Sequence, residues 1–252
     1  MLNQYLDLKQ IAYYTVAGFI ATVIAVPSRA MHQITYPITA KLMIENKHDE
    51  LNDLYKKTSI TLQIVGGLVY VGLLVNINQI YLLLPENYRG GVFVFFIIGL
   101  SKYFDLILGN NNAIIFNSKY YRAVLFLGLL LGFFAITLNM IFIPKYHIKG
   151  AAIATLISIT LYSIAKLLFV VLKMKLYPFT VKNIYALGIG LICFFGFYYW
   201  DFPFHTIVNI MLKSVLVSIV YVGIVYKAKL SEDINSVIEK VFKMLKALIK
   251  IT

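Results

Sequence analysis

The chain has 252 residues, 60% of them hydrophobic and only 13% charged, with a formal net charge of +12. A soluble domain carries roughly 25% charged residues, so this composition excludes an ordinary soluble enzyme and predicts an all-α, polytopic membrane helix bundle. Its one cysteine, Cys193, excludes an intrachain disulfide. The basic residues are spread over connections, which points to cytoplasmic loops and anionic lipid headgroups and away from nucleic acid.

A spanning helix needs about 20 mostly apolar residues, and seven stretches qualify, some with a polar interruption. The opening MLNQYLDLKQ lacks the basic leader and cleavage site of a signal peptide. The first span runs from about Ile11 to Val26 and continues through Pro27 and Pro37 towards Thr39, with both prolines expected to bend or break it. The second covers Ser59–Leu84. The third covers Gly91–Leu108, with a polar extension through Asn110, Asn111 and Asn112. The fourth, Ala123–Ile143, and the fifth, Gly150–Leu172, are joined by a short polar turn. Pro144 lacks a backbone N–H and is expected to stop the fourth helix. Gly150, Ala151, Ala152 and Ala154 open the fifth with little side-chain volume, and the four-residue spacing of Gly150 and Ala154 lets helices approach closely. The sixth and seventh spans are Ile184–Trp200 and Thr206–Tyr226.

Lysine and arginine alternate between the connections. The N-terminus and residues 85–89, 144–149 and 201–205 contain four; residues 41–58, 117–122, 173–182 and the tail from 227 contain fifteen. The positive-inside rule therefore places the N-terminus outside and the tail in the cytoplasm. In the tail, Ser231 is placed to cap a helix with Glu232 and Asp233 in its first turn. Ile234, Val237, Ile238, Val241, Phe242, Leu245, Leu248 and Ile249 then form an apolar stripe, with Lys240, Lys243 and Lys250 away from it. This is the pattern of a basic amphipathic helix on the inner membrane surface, or of one packed on the protein's own loops.

Charges deep in a membrane are functional candidates, and there are five. Lys102 and Asp105 are three apart on the third span and share a face. They read as a cavity pair, with Lys102 meeting an anionic substrate and Asp105 serving cation coupling, or as a structural ion pair. Arg29 lies roughly 27 Å along the first helix from Ile11; its guanidinium suits phosphate or snorkels to headgroups. Lys166 and Lys213 sit about two turns from helix ends and are within snorkelling reach. His48 and Asp53 have the H-x4-D spacing of glycerolipid acyltransferases but lie in the charged stretch KHDELNDLYKK, expected as a loop or short helix. His32, His147 and His205 are isolated; no metal-ligand spacing, phosphate-cradling loop or nucleophile elbow is present, so no cofactor, metal or catalytic residue is expected.

Three stretches together carry a family likeness: IAYYTVAGFIATVIAVPSRAMHQITYPITAKL followed by HDELNDLYKKTS, then NNNAIIFNSKYYRA, then NMIFIPKYHIKGAAIATLIS. In this order they resemble the C-terminal half of the polysaccharide-biosynthesis flippases, the O-antigen exporters of the multidrug/oligosaccharidyl-lipid/polysaccharide superfamily. The likeness covers Tyr5 to Leu172, and Asn139, Pro144, Gly150 and Ala154 are its identifying motif. It implies the second bundle of a MATE-like flippase over residues 1–172, two additional helices over 173–226 and a cytoplasmic tail over 227–252. It further implies a multi-pass protein of the bacterial inner membrane that moves undecaprenyl-diphosphate-linked oligosaccharide and makes or breaks no bond. Family members have two bundles that rock about a shared cavity. A single bundle implies a truncated product, a split-gene partner or a fragment, with a missing N-terminal lobe or second subunit. The alternatives are a scaffold or half-transporter needing a partner, a cation-coupled drug exporter in which Asp105 matters more, and, most distantly, a membrane acyltransferase.

Overall fold

The computed structural model describes residues 2–249, among which the chain forms ten α-helices and no strand. α1 (Leu2–Tyr5) is one turn. Asp7 then caps α2 (Leu8–Thr22), accepting from the Gln10 backbone N–H at 2.7 Å. A 3-10 turn over Val23–Ala25 leads into α3 (Val26–Ile44). Pro27 falls in the first turn of α3, where its missing N–H costs nothing. Pro37 is carried inside α3 without ending it. The expected first span is thus a 37-residue broken pair, Leu8–Ile44, interrupted before Pro27.

α4 (His48–Leu82) follows after three residues and runs for 35. The stretch expected as a charged loop or short helix is its first three turns, with Asp49 and Glu50 complementing the helix N-terminus. α5 (Val92–Leu106) and the short α6 (Asn111–Asn117) meet at a 49° bend.

α7 (Ala123–Met174) is a hairpin. His147 has φ 50° and ψ −133°, which reverses the chain between arms 123–146 and 148–174. Ile143 packs with Ile148 and Ala151 near the turn. At the far end Ala123, Val124 and Leu127 share a cluster with Phe169, Val170 and Met174. The expected turn is therefore present, but Pro144 does not stop the helix; the break comes at His147. Gly150 is needed there because a Cβ would collide with the Phe142 carbonyl of the first arm. Ala151, Ala152 and Ala154 are buried beside it. Asn139 donates to the Ala135 carbonyl one turn back at 2.6 Å and joins no other helix.

α8 (Val181–Tyr198) opens with a capping box between Thr180 and Asn183. α9 (Thr206–Lys227) returns across it, and α10 (Glu232–Ile249) follows. Ser231 caps α10 as expected, accepting from Ile234 N–H at 3.4 Å. Its start is tied down, with Ile234 packed on the α4–α9 cluster, while Val237, Val241 and Met244 are exposed. The side chains of Phe242, Leu245, Leu248 and Ile249, and Lys250 altogether, lie outside the described residues.

The core is organised around α4. One cluster joins Tyr70, Leu74 and Ile77 of α4 to α2 and α5, with Ala152 of α7. A second joins Ile60, Ile64 and Val71 to Ala186 and Cys193 of α8 and Val217 and Tyr221 of α9. The outer surface is strongly apolar: no residue from 123 to 142 is buried, and Phe126, Leu129 and Phe133 are exposed. A helix apolar all round and unburied belongs in hydrocarbon. Five helices are long and apolar enough to cross a membrane, six if the bent α5–α6 pair is one span. The chain is accordingly all-helical, with several helices of the length and hydropathy that suit a multi-pass membrane protein.

Replacing Gly150 with Ala is expected to cost about 1–3 kcal/mol through overpacking at the hairpin. Gly128→Ala, where a Cβ meets nothing within 4 Å, is expected to leave stability unchanged or raise it. Thermal unfolding of both variants in detergent micelles measures the difference.

Candidate functional site

The bend between α5 and α6 is where irregular backbone enters the bundle. Gly109 takes φ +59°, and a Cβ there would press to 2.6 Å from the Ser59 backbone nitrogen. The left-handed conformation and the close approach together require glycine. In an apolar interior the freed backbone groups need partners, and α4 supplies them. Ser59 Oγ donates to the Ile107 carbonyl at 2.7 Å, and Thr58 Oγ1 accepts from Asn110 N–H at 3.2 Å. The buried Asn110 side chain then ties α3 to the bend: its Oδ1 accepts from Thr35 at 2.9 Å and its Nδ2 donates to Thr39. Asn111 Nδ2 donates to Tyr55 OH at 2.6 Å. The asparagine run expected as a polar extension is the set of bolts that fixes this bend.

Beside it lies a small polar cavity of about 100 Å³, lined by Ser28 and His32 of α3, Lys102 and Asp105 of α5, Asn112 of α6 and Lys166 of α7. Lys166 is 3% exposed, and its ammonium donates to Asp105 Oδ1 at 2.7 Å and to Asn112 Oδ1 at 3.3 Å. It also stands 4.4 Å over the Tyr162 ring, a cation–π contact. Ser163 donates to the same Asp105 oxygen at 3.0 Å. The Asp105 side chain remains 42% exposed, so one oxygen serves Lys166 while the carboxylate still opens to the cavity.

This corrects the expected pairing. Asp105 neutralises Lys166 on the α7 hairpin, 61 residues away, and not Lys102 on its own helix. Lys102 forms no ion pair or hydrogen bond among the described residues, yet it lines the same cavity. Lys166 does not snorkel. Nor does Lys213, which is fully buried and donates to Asp201 Oδ1 at 3.1 Å. Arg29 is exposed and lies outside the cavity lining, although its neighbour Ser28 is part of it. Asn139, Pro144, Gly150 and Ala154 shape the hairpin that carries Lys166 and do not line the site.

His32, isolated in sequence, is brought into the cavity with a buried Nδ1 that has no partner among the described residues. Tyr36, one turn on, meets its ring edge-on at 5.8 Å. The sequence held one signal for this: His32, Thr35 and Thr39 recur at helical spacing on α3 and so share one face. His48 and Asp53 are both on α4, five residues and hence about 140° apart around the helix, so they do not form an acid–base pair. No group of three or more His, Cys, Asp or Glu suited to a metal occurs among the described residues.

Chemically, the cavity offers an ammonium at Lys102, a half-open carboxylate at Asp105 and an imidazole with a spare nitrogen. It is an ion- or headgroup-sized polar site walled by hydrophobic helices. No family model, curated protein or solved structure matches the chain.

Removing Asp105 strands the buried Lys166 charge. Asp105→Asn is expected to lower stability by about 2–3 kcal/mol, below the roughly 3–5 of a fully buried pair because the carboxylate is partly solvated. Adding Lys166→Met to it is expected to restore most of the loss. Chemical denaturation in micelles checks both steps of the cycle.

Proposed function

We propose that the chain is a transport component of the bacterial inner membrane, one lobe of a lipid-linked oligosaccharide flippase. The observation that carries this reading is the charged cavity at a helix break, enclosed by helices whose outer faces are apolar. Ionisable groups held at such a place are costly and mark substrate or ion paths, and broken helices are the usual frame for them. The family likeness in residues 5–172 supplies the substrate class: an undecaprenyl-diphosphate-linked oligosaccharide, moved with no bond made or broken. Lys102, the cavity cation without a carboxylate partner, is the group that meets the diphosphate. Arg29, exposed one residue from the cavity wall, is the second candidate and acts at the cavity mouth.

In this reading the two arms of α7 count separately and the α5–α6 pair counts once, which makes seven spans. The N-terminus then faces outside and the basic tail faces the cytoplasm, as the loop charges require. Asp105 holds Lys166 and so is a poorer ion-coupling group than a free carboxylate, which sets the drug-exporter reading lower. A second reading is a half-transporter or scaffold completed by another subunit. The observation favouring it is the first arm of α7, on which no residue from 123 to 142 is fully buried and Phe126, Leu129 and Phe133 are exposed.

The test is a leaflet assay. The full chain is reconstituted in vesicles with a fluorescent polyprenyl-diphosphate oligosaccharide, and the fraction reaching the opposite leaflet is measured. Lys102→Gln is expected to reduce transfer at least about tenfold, the loss of one charge-assisted contact, while leaving the unfolding midpoint unchanged. Transfer at the wild-type rate in both Lys102→Gln and Arg29→Gln removes them as substrate ligands. No transfer by the wild-type chain alone, restored by a co-expressed partner lobe, selects the half-transporter.

A further inference from the structure

At the basic end of the bundle, the loop between α3 and α4, the loop between α6 and α7, and the C-terminal end of α7 surround a cavity of about 470 Å³. Its floor is apolar: Leu42 and Leu51 are buried there, with Met43 and Met174 beside them. Its rim is cationic. Lys119 and Lys173 stand on two different elements, both exposed, and neither forms an ion pair among the described residues. No carboxylate lines this cavity. Of the acids nearby, Glu45 and Glu50 both pair with Lys47, at 3.2 and 3.3 Å, while Asp49 forms no ion pair among the described residues.

Three helices end around the cavity, and free C-terminal carbonyls would repel an anion. They are capped. Leu42 and Met43 carbonyls accept from Lys47 and Asn46 N–H at 2.9 and 3.2 Å. The Val171 carbonyl accepts from Lys175 N–H at 3.1 Å, and the Ile115 carbonyl accepts from Ser118 at 3.2 Å. Lys119 stands 5.2 Å over the ring of its neighbour Tyr120, Lys173 lies in the last turn of α7, and neither ammonium meets a carboxylate among the described residues. A ligand complementary to this place carries a negative head between two lysines and an apolar body against a leucine–methionine floor.

We infer that this cavity binds the phosphate headgroup of an anionic membrane lipid, with the first carbons of its chains on the apolar floor. The inference stands on the cavity alone and goes beyond the transport reading: a chain that translocates nothing still carries the site. Lipid recognition by basic pockets at the cytoplasmic face of helix bundles follows the same electrostatics.

The experiment is native mass spectrometry of the full chain, released from nanodiscs of equal phosphatidylglycerol and phosphatidylcholine. The wild-type chain is expected to retain phosphatidylglycerol in preference. Lys119→Gln and Lys173→Gln are each expected to lower the retained phosphatidylglycerol about fivefold, since a lysine near a membrane surface contributes about a factor of that size. Both lysines are exposed, so the unfolding midpoint stays at its wild-type value and the loss is not one of folding. Lys240→Gln with Lys243→Gln, on the exposed tail helix, is expected to leave the preference intact. Equal retention by the wild type and the Lys119 and Lys173 variants overturns the inference. So does a preference that disappears with the tail variant instead, or an adduct that excess inorganic phosphate strips completely, which would show a site for free anions and not for lipid.

Discussion

A polar group carried into an apolar helix bundle costs several kcal/mol unless it finds a partner there, and in this protein α4 provides most of those partners. Thr58 and Ser59 take up the broken backbone between α5 and α6. Gln63 exchanges hydrogen bonds with Asn183, donating to its carbonyl at 2.9 Å and accepting from its amide at 2.7 Å, which docks the start of α8. The Ile64 carbonyl accepts from Tyr221 OH at 3.1 Å, and Asn76 donates to Ser214 at 3.1 Å, so α9 is fixed at two levels. Gly67 makes room for the Tyr221 hydroxyl, which lies 2.7 Å from where a Cβ would stand. The surrounding helices are positioned by these bonds as much as by the apolar contacts, because in lipid the hydrophobic effect does not itself favour helix on helix.

Charge is handled by a second rule. Each of the two buried lysines, Lys166 and Lys213, is matched by a carboxylate that remains about half exposed. Placing the acid at the edge keeps it partly hydrated while its partner is desolvated, which moderates the penalty of burying an ion pair. For Lys166 the consequence is chemical as well as structural. Asp105 sits at the mouth of a cavity that also holds Lys102 and His32, so the pair that stabilises the α5–α7 contact also sets the charge of the pocket.

The α7 hairpin joins these two themes to the bilayer. Its second arm carries small residues at the turn, Ser158 and Ser163 further on, then Lys166, and is buried on one side. Its first arm is half-buried on the side that packs on the second and exposed on the other. Two arms of one helix-like element thus have opposite tasks: one closes the cavity, and the other presents Leu, Phe and Ile to lipid or to a further subunit. At the basic end of the molecule, the cavity between α3, α6 and α7 and the exposed Val237, Lys240 and Val241 of α10 give two separate surfaces suited to anionic headgroups.

The amino-acid sequence determined that this protein is all-helical and where its long apolar runs lie. Apolar run length is a local quantity, so the helices, the turn near Pro144 and the Ser231 cap were all legible, and the cavity members Lys102 and Asp105 were singled out because charge in an apolar run is conspicuous. Helix breaks were less legible. Pro144 and Pro37 are tolerated inside helices, while the reversal falls on His147, because the packing of Gly150 against Phe142 selects the turn and proline only permits it. Partnerships were not legible at all. Asp105 to Lys166, Asn110 to Thr35 and Thr39, and Gln63 to Asn183 each join residues 61 to 120 positions apart on separate helices. Depth and spacing rank such residues as candidates, but which carboxylate meets which ammonium depends on the rotation of each helix about its own axis. That rotation is decided only when the polar groups of all the helices are satisfied together in the folded bundle.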